Sequence, residues 1–370
     1  MKTIDAQTLS DWLAAGKPVS VLDVRSQADR DEWWIPGSTH VNVYEALKHG
    51  DTTALSALNL PDDVPVVTVC GRGYVAGIAA QQLEARGLNA YALEDGMRAW
   101  SLAWNSAEVV LPHTGTRIIQ VRRTGKGCLS YIIGSGSDAI VVDASLPVEV
   151  YIQLAREHGW KIKSAMDTHI HADHISRSYA LTQHTGATLF MPDQQRLKFP
   201  HATLSAGDSI KFGSAKLSPV HTPGHTQESM SYLLDNAALF TGDTLFLAAV
   251  GRPDLHASFE AARDRAQLLH ASLQKILKMD RSTLIFPGHT NTPAPFDQQI
   301  IAESLAVVTE RTALLHSADR DAFANALLAR IPAVPANHSA IIEINENGWP
   351  NESQDISMDL EAGANRCAIS

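Results

Sequence analysis

Short apolar segments divide the chain into predicted strands. Ala139–Val142 and Ala238–Phe240 are continuously apolar, and Val64–Val69 is a further apolar segment of strand length. Apolar residues at successive rather than alternating positions predict strands that are buried on both faces. The hydrophobic pattern therefore predicts strands inside the protein rather than at its surface.

Other segments continue this order of strands and helices. The predicted strands after the first third of the chain are Arg117–Arg123, Cys128–Ile133, Ala139–Asp143 and Ile162–Met166, and the predicted helices cover Val148–His158 and residues 174–186. Earlier in the chain, Val75–Arg86 has helical periodicity. Between the two parts, Ser106–Gly115 loses periodicity and contains Pro112, which predicts a short linker.

Length and composition predict two domains of a soluble, cytoplasmic protein. The chain has 370 residues, of which 45% are hydrophobic and 19% charged. Its net charge of −10 argues against a nucleic-acid backbone or an anionic membrane as the main partner. No apolar stretch approaches the roughly 20 residues needed to span a bilayer. Three widely spaced cysteines argue against a disulfide framework and suit a reducing compartment.

A dense group of metal-binding residue types lies in the middle of the chain. His169, His171, Asp173 and His174 fall within one run of six residues. In an extended segment, side chains two residues apart project to the same side, so the first three can converge on one point. Imidazole and carboxylate groups hold zinc or iron, and a metal site is therefore predicted. The alternative is a polar loop whose histidines only form hydrogen bonds.

Three downstream segments supply further ligand types where apolar runs meet glycine turns. They are Thr222–Thr226 with His225, Phe240–Asp243, and Phe286–His289. Asp143, which ends its predicted strand, is a candidate for orienting a ligand histidine. A plain turn aspartate is the alternative for that position.

This set of motifs, HxHxDH followed by PGHT, GD and PGH, resembles the metallo-β-lactamase superfamily from about Gly115 to the C-terminus. The resemblance implies a four-layer αββα sandwich with the metal in a cleft at the edge of its two sheets. It leaves the reaction open, because one scaffold carries many chemistries.

Cys70 is a candidate nucleophile in the first part of the chain. It follows an apolar strand and precedes Gly71-Arg72-Gly73-Tyr74 and a predicted helix. Backbone N–H groups at a helix N-terminus stabilise a thiolate or persulfide, and Arg72 adds a positive charge for binding an anionic sulfur substrate. The alternative is a small buried hydrophobic residue at a strand end.

The segments around Cys70 resemble a rhodanese domain, a small α/β sulfurtransferase with a parallel sheet. The resemblance lies in VLDVR at 21–25, WIPGS at 34–38, the Cys70 loop, and EDGMRAW at 94–100. It implies that Cys70 carries the transferred sulfur. Val75 and Ala76 replace the basic or hydroxyl residues of many thiosulfate-using rhodaneses, so thiosulfate use is left open. We expect a rhodanese domain over residues 1–108 and a metallo-β-lactamase-fold domain over residues 115–370.

The second domain is similar to persulfide dioxygenases in THIHADHIS, PGHTQESMSY, TGDTLF and GRPD. That resemblance implies one Fe(2+) per chain, held by His169, His225 and Asp243. It places the remaining candidates, His171, Asp173, His174 and His289, in the pocket without binding iron. All seven groups are present, however, so two zinc ions remain the alternative.

The expected activity is oxidation of glutathione persulfide, or a similar persulfide, by O2 to sulfite, coupled to sulfur transfer through Cys70. The rivals are a dinuclear zinc thioesterase of the glyoxalase II kind and a sulfur-carrier protein without catalysis. Arg252 is a candidate to bind a substrate carboxylate, with a salt bridge to Asp254 as the alternative. The role of Arg177 is open, and Cys367 is interpreted as a mobile terminal cysteine, with an accessory thiol as the alternative. A homodimer is the expected assembly, with small-molecule persulfide, O2 and a thiol such as glutathione as partners.

Overall fold

A parallel five-stranded sheet forms the N-terminal part of the protein. The structure is a computed structural model that describes residues 1–112, 114–290, 292–335, 337–349 and 354–370. The strands, in spatial order β1-β5-β4-β2-β3, are β1 (Lys2–Ile4), β2 (Ser20–Asp23), β3 (Thr39–His40), β4 (Val66–Val69) and β5 (Ala90–Leu93). The helices are α1 (Ala6–Ala14), α2 (Gln27–Glu32), α3 (Tyr44–Lys48), α4 (Tyr74–Ala85) and α5 (Gly96–Trp100). This agrees with the predicted parallel α/β unit.

A seven-stranded sheet follows, in the order β12-β11-β10-β9-β8-β7-β6. Its strands are β6 (Trp104–Val110), β7 (Arg117–Arg123), β8 (Leu129–Ser135), β9 (Asp138–Val142), β10 (Lys161–Met166), β11 (Thr188–Pro192) and β12 (Ala202–Leu204). Helices α6 (Val148–Glu157) and α7 (Ser178–Thr185) belong to the same region. The predicted helix over 174–186 is α7, which begins at Ser178, four residues after the predicted start. Residues 174–177 belong instead to the loop that carries the histidine cluster.

A six-stranded sheet has the order β13-β14-β15-β16-β18-β19, and β17 pairs separately with β20. The strands are β13 (Ile210–Phe212), β14 (Ala215–His221), β15 (Met230–Leu234), β16 (Ala238–Gly242), β17 (Val250–Gly251), β18 (Leu284–Pro287), β19 (Glu303–Ser304) and β20 (Ala368–Ile369). The helices are α8 (Phe259–Ile276), α9 (Leu305–Arg311), α10 (Arg320–Leu328), α11 (His338–Asn347) and α12 (Gln354–Glu361), with a 3-10 turn at Ala313–His316.

The two larger sheets face each other across one apolar core. Ile133 and Val142 of the seven-stranded sheet pack in one cluster with Tyr232, Phe240 and Phe286 of the six-stranded sheet. A second cluster joins α6 and α7 to the seven-stranded sheet, and a third joins α8, α9 and α10 to the six-stranded sheet. Each sheet thus lies between the core and a layer of helices, which is why its strands are continuously apolar. The predicted αββα sandwich is confirmed.

The predicted linker at Ser106–Gly115 is wrong for its first part. Residues 104–110 form β6, an edge strand that pairs antiparallel with β7 from Trp104 opposite Arg123 to Val110 opposite Arg117. An edge strand is partly exposed, so it lacks the apolar run that marks the buried strands. His113 lies outside the described residues. The proposed domain limits of 1–108 and 115–370 stay predictions, and no described helix is long and apolar enough to cross a membrane.

Candidate metal centre and sulfur site

Loops at the ends of four strands bring the predicted metal ligands together. The loop after β10 carries His169, His171, Asp173 and His174, whereas His225, Asp243 and His289 follow β14, β16 and β18. Strands β16 and β18 are parallel neighbours, so Asp243 and His289 leave the sheet at the same edge. All seven side chains are buried, with at most 4% of any residue exposed. The site therefore lies at the strand-end edge of the sandwich.

His169, His225 and Asp243 form one group whose ligand atoms lie within 4.8 Å of one another. The Nε2 atoms of His169 and His225 lie 4.0 and 3.6 Å from Asp243 Oδ2. Two imidazoles and a carboxylate are the donor set of a facial iron site and also suit zinc.

Neighbouring groups orient both histidines of this trio toward Asp243. The Thr168 hydroxyl donates to Asp143 Oδ2 at 3.0 Å, so it can accept from His169 Nδ1 at 2.9 Å. His225 Nδ1 lies 2.8 Å from the Arg252 carbonyl, to which it can donate only when it carries the proton. Both Nε2 atoms then present lone pairs to the centre of the group. His169 Nε2 is also buried without a hydrogen-bond partner, so the trio fits a metal ion.

The electrostatics of the trio are those of neutral imidazoles beside an ionised carboxylate. Burial lowers the pKa of His169, and the charge of His171 lowers it further. Burial also lowers the pKa of His225. For Asp243, burial is outweighed by the neighbouring His289, so the pKa of this carboxyl lies below its usual value. These protonation states are the ones that metal binding requires.

Glycine residues leave room for the Asp243 carboxylate. A Cβ on Gly288 would lie 2.5 Å from Asp243 Oδ1, closer than atoms can pack. Gly242 has φ +49°, a left-handed conformation, and a side chain there would meet Thr168. The GD and PGH motifs therefore contain glycines for close packing around the carboxylate.

Asp173 and His174 form a second group that includes Cys128. His174 Nδ1 lies 3.0 Å from Asp173 Oδ1. Asp173 Oδ2 accepts the Asn365 amide at 2.6 Å and the Cys128 thiol at 3.3 Å. His289 is not part of this group, since its Nε2 lies 3.2 Å from Asp243 Oδ2. Both oxygens of Asp173 are thus engaged by protein groups.

His171 faces away from the trio toward a buried pair of carboxylates. Its Nε2 lies 3.1 Å from Asp143 Oδ1, and its ligand atom groups with Asp143 and Asp167. Burial lowers the pKa of His171, but the charge of Asp143 outweighs this and raises the pKa to about 10. Asp143 has φ +55° at the end of β9 and accepts from Thr168 N at 2.7 Å. It is therefore both a turn residue and the group that orients Thr168 and His171.

Arg252 does not have the geometry of the predicted carboxylate binder. It is fully buried, and its Nε and Nη2 donate to the two oxygens of Asp254, each at 2.8 Å. Its other N–H groups donate to three backbone carbonyls, those of Pro332, Ala333 and Arg366. All five donors of the guanidinium are used, so the salt-bridge alternative is the one that the structure contains.

Arg177 belongs to a buried ion cluster and not to the metal pocket. Its Nη1 lies 2.6 Å from Glu361 Oε1, and Arg123 Nη1 lies 2.7 Å from Glu361 Oε2. Burial raises the pKa of Glu361, but the two guanidinium groups outweigh this and lower it to about 2. Arg177 therefore fastens the histidine loop to α12.

Cys70 lies between β4 and the N-terminus of α4, as predicted. Its side chain is buried, and its Sγ accepts from Ala76 N at 3.3 Å. Gly73 has φ +86°, a left-handed turn that leads into the helix. Arg72 is 74% exposed in its side chain and pairs with Asp359 of α12 at 3.3 Å. The predicted cation is thus near the loop and already has an acidic neighbour.

Two cysteines lie near the metal centre, and nothing in the sequence indicated that Cys128 would lie there. Cys367 is buried, not mobile, and groups with Asp243 and His289. Burial raises the pKa of both Cys128 and Cys367, which keeps them as neutral thiols. Cys128 lies 45 positions before Asp173, so no local pattern along the chain marks this contact.

Comparisons with known families agree with this architecture. Residues 123–289 match the metallo-beta-lactamase superfamily, and residues 5–103 match the rhodanese-like domain family. The chain is a rhodanese domain followed by a metallo-β-lactamase domain. The predicted fold class and the predicted family resemblance are both confirmed.

Among curated proteins, this rhodanese–metallo-β-lactamase chain is similar to hydroxyacylglutathione hydrolases. Those of Brucella ovis and Brucella abortus are each 32% identical to it over 165 residues, 44% of this chain and 61% of theirs. The chain thus spans 61% of the length of these relatives.

Among solved structures, two neighbours share the fold. ETHE1 from Myxococcus xanthus has 27% identity and a TM-score of 0.55, over 62% of this chain and 97% of its own. A metallo-beta-lactamase from Staphylococcus aureus has 25% identity and a TM-score of 0.55, over 67% of this chain and 73% of its own.

Proposed function

We propose that this protein oxidises a low-molecular-weight persulfide, with glutathione persulfide as the preferred candidate, to sulfite with one iron ion per chain. The single observation that carries the proposal is the separation of the ligand groups. The ligand atoms of His169, His225 and Asp243 lie within 4.8 Å of one another, with Asp243 Oδ2 also contacting His289 Nε2 at 3.2 Å, whereas both oxygens of the Asp173 carboxylate are engaged by Asn365, Cys128 and His174. A single metal held by two histidines and one carboxylate suits oxygen chemistry better than a hydrolytic metal pair.

In the proposed reaction, the persulfide, O2 and water give thiol, sulfite and two protons. The outer sulfur is oxidised and loses its bond to the inner sulfur, while dioxygen is reduced. Two of the three sulfite oxygens come from O2 and one from water. Iron, when bound, supplies the electron transfer that allows O2 to react with the persulfide sulfur.

The chain's own residues would hold and shelter this reaction. His169, His225 and Asp243 are at most 4% exposed, so the reacting atoms are shielded from bulk solvent and meet only the water that the reaction consumes. The Asp143–Thr168 contacts and the Arg252 carbonyl hold the two imidazoles in their orientations. The protein thereby supplies a preorganised site to which the substrate sulfur comes.

Oxygen uptake after anaerobic purification tests this function. Protein loaded with one iron per chain should consume O2 when glutathione persulfide is added and should release sulfite. Zinc-loaded protein should show no uptake, because zinc has no redox chemistry. Iron-loaded protein that takes up no O2 with any persulfide would contradict the proposed function.

A zinc hydrolase is the second candidate. The identity to hydroxyacylglutathione hydrolases favours it, as does the presence of all seven ligand residues. Binding of two zinc ions would require the Asp173 carboxylate to break its hydrogen bonds to Asn365, Cys128 and His174. Two zinc ions per chain together with hydrolysis of glutathione thioesters would support this candidate over the dioxygenase.

We further propose that Cys70 of the rhodanese domain carries the sulfur atom to or from the persulfide. Cys70→Ser should abolish sulfur transfer to cyanide or thiols, because a hydroxyl cannot hold sulfane sulfur. The same variant should keep iron content and persulfide-dependent O2 uptake, since Cys70 belongs to the other domain. Sulfur transfer that persists in Cys70→Ser would make this domain a binding module.

A further inference from the structure

We propose that Asn365 and Cys128 determine the number of metal ions, by holding the Asp173 carboxylate away from a second ion. The inference rests on the proposed single-metal function and names residues outside its three ligands. Both residues are buried, with 8% and 1% of their surfaces exposed. Both donate to the same oxygen, Asp173 Oδ2.

The orientation of the Asn365 amide is fixed by the chain itself. Its Oδ1 accepts from the backbone N–H of Cys367 at 3.0 Å, which leaves Nδ2 to donate to Asp173 at 2.6 Å. A bond from an amide to an ionised carboxylate is charge-assisted and therefore stronger than one between neutral groups. Asn365 also lies between Arg252, whose N–H donates to the Cys367 carbonyl, and the histidine loop. The C-terminal segment thus holds the donor in place.

Asn365 and Cys128, with their hydrogen bonds to Asp173 Oδ2, are called the clamp below. Two histidines that could bind a second ion still have a nitrogen without a partner. His174 Nε2 is buried without a hydrogen-bond partner, and His289 Nδ1 is in the same state. A buried nitrogen without a partner keeps its capacity to bind a metal. The missing element of a second site is therefore a free carboxylate. Releasing Asp173 should create that site without new ligands.

Metal titration of the apoprotein tests the clamp. Apoprotein would be titrated with Zn2+ and, separately, with Co2+, and bound metal per chain would be counted by mass spectrometry after dialysis. The unaltered protein should retain one ion per chain, and the double variant Asn365→Ala/Cys128→Ala should retain two. The affinity for the second ion should rise roughly ten- to a hundredfold, the usual effect of groups that surround metal ligands. Equal numbers of ions in the two proteins, whether one or two, would overturn the proposal.

Two further variants address specificity and folding. Cys128→Ser combined with intact Asn365 keeps both donors and should retain one ion. Asn365→Leu is close in shape but has neither a donor nor a ligand atom, so it should bind two ions; a single ion in this variant would overturn the proposal. Asn365→Leu therefore decides the question if the double variant fails to bind its first ion.

Asn345→Ala is the matched control. Asn345 is 7% exposed and also touches the histidine loop, but its amide donates to the His171 and His174 carbonyls and accepts from Ser176 N. It makes no contact with Asp173 through these bonds, so its variant should retain one ion. Two ions in Asn345→Ala would show that general loosening of the loop, and not the clamp, controls the number. Because titration uses neither persulfide nor O2, its outcome is independent of the oxygen-uptake test.

Discussion

Asp243→Ala should leave the protein without bound iron and abolish persulfide-dependent O2 uptake. Asp243 provides the only negative charge of the trio, and its Oδ2 faces the Nε2 atoms of His169 and His225 at 4.0 and 3.6 Å. Without it, two neutral imidazoles would have to hold the ion alone. Losing a group that merely supports a ligand costs about 10–100-fold in affinity or activity, so losing the ligand itself should cost more than about a hundredfold.

Metal analysis and oxygen uptake on anaerobically purified protein would measure this effect, with His174→Ala as the matched control. His174 is as deeply buried as Asp243 and lies on the same site, but it groups with Asp173 and Cys128. Under the single-iron proposal, His174→Ala keeps one iron per chain. If both variants lost the same share of bound metal, the trio would not be the metal site.

Glu361→Gln should lower the free energy of unfolding by about 3–5 kcal/mol, the usual cost of removing one partner from a buried ion pair. Glu361 is completely buried between the Arg123 and Arg177 guanidinium groups and also accepts from Ile175 N at 2.6 Å. The variant leaves two buried positive charges without a carboxylate. Arg123 also donates to the Ser101 carbonyl of the rhodanese domain, so the contact between the domains should weaken as well. Chemical denaturation followed by circular dichroism measures the change.

The pH dependence gives this prediction a second readout. The pKa of Glu361 is about 2 in the folded protein against an ordinary 4.5, so its ionised form stabilises the fold. That contribution is complete above about pH 4.5 and is lost as pH falls toward 2. The difference between the parent protein and Glu361→Gln should therefore shrink on acidification. The exposed Glu310→Gln is the control and should change stability by less than about 0.5 kcal/mol. A difference that stays constant down to about pH 2 would mean that the charge of Glu361 is not the cause.

Local patterns predicted most of the regular structure. Continuous apolar runs located β4, β9 and β16, and helical periodicity located α4 and α6 to within a few residues. The start of α7 and strand β6 were predicted wrongly, because loop contacts delay the helix and the edge strand has no fully buried face. Prediction from periodicity therefore worked where a segment's environment is uniform along its length.

The sequence by itself determined the kinds of ligand and nucleophile, since histidine, carboxylate and thiol groups carry their chemistry wherever they lie. It also determined the two families, because each motif is a short run of neighbouring residues and the motifs follow one another along the chain in the order typical of each family. Only the tertiary structure decided which groups meet. Asn365 reaches Asp173 across 192 positions of the chain, and Arg252 uses its donors on segments about 80 and 114 positions away. Such contacts depend on how whole helices and strands pack together. A local pattern along the chain carries no information about that packing.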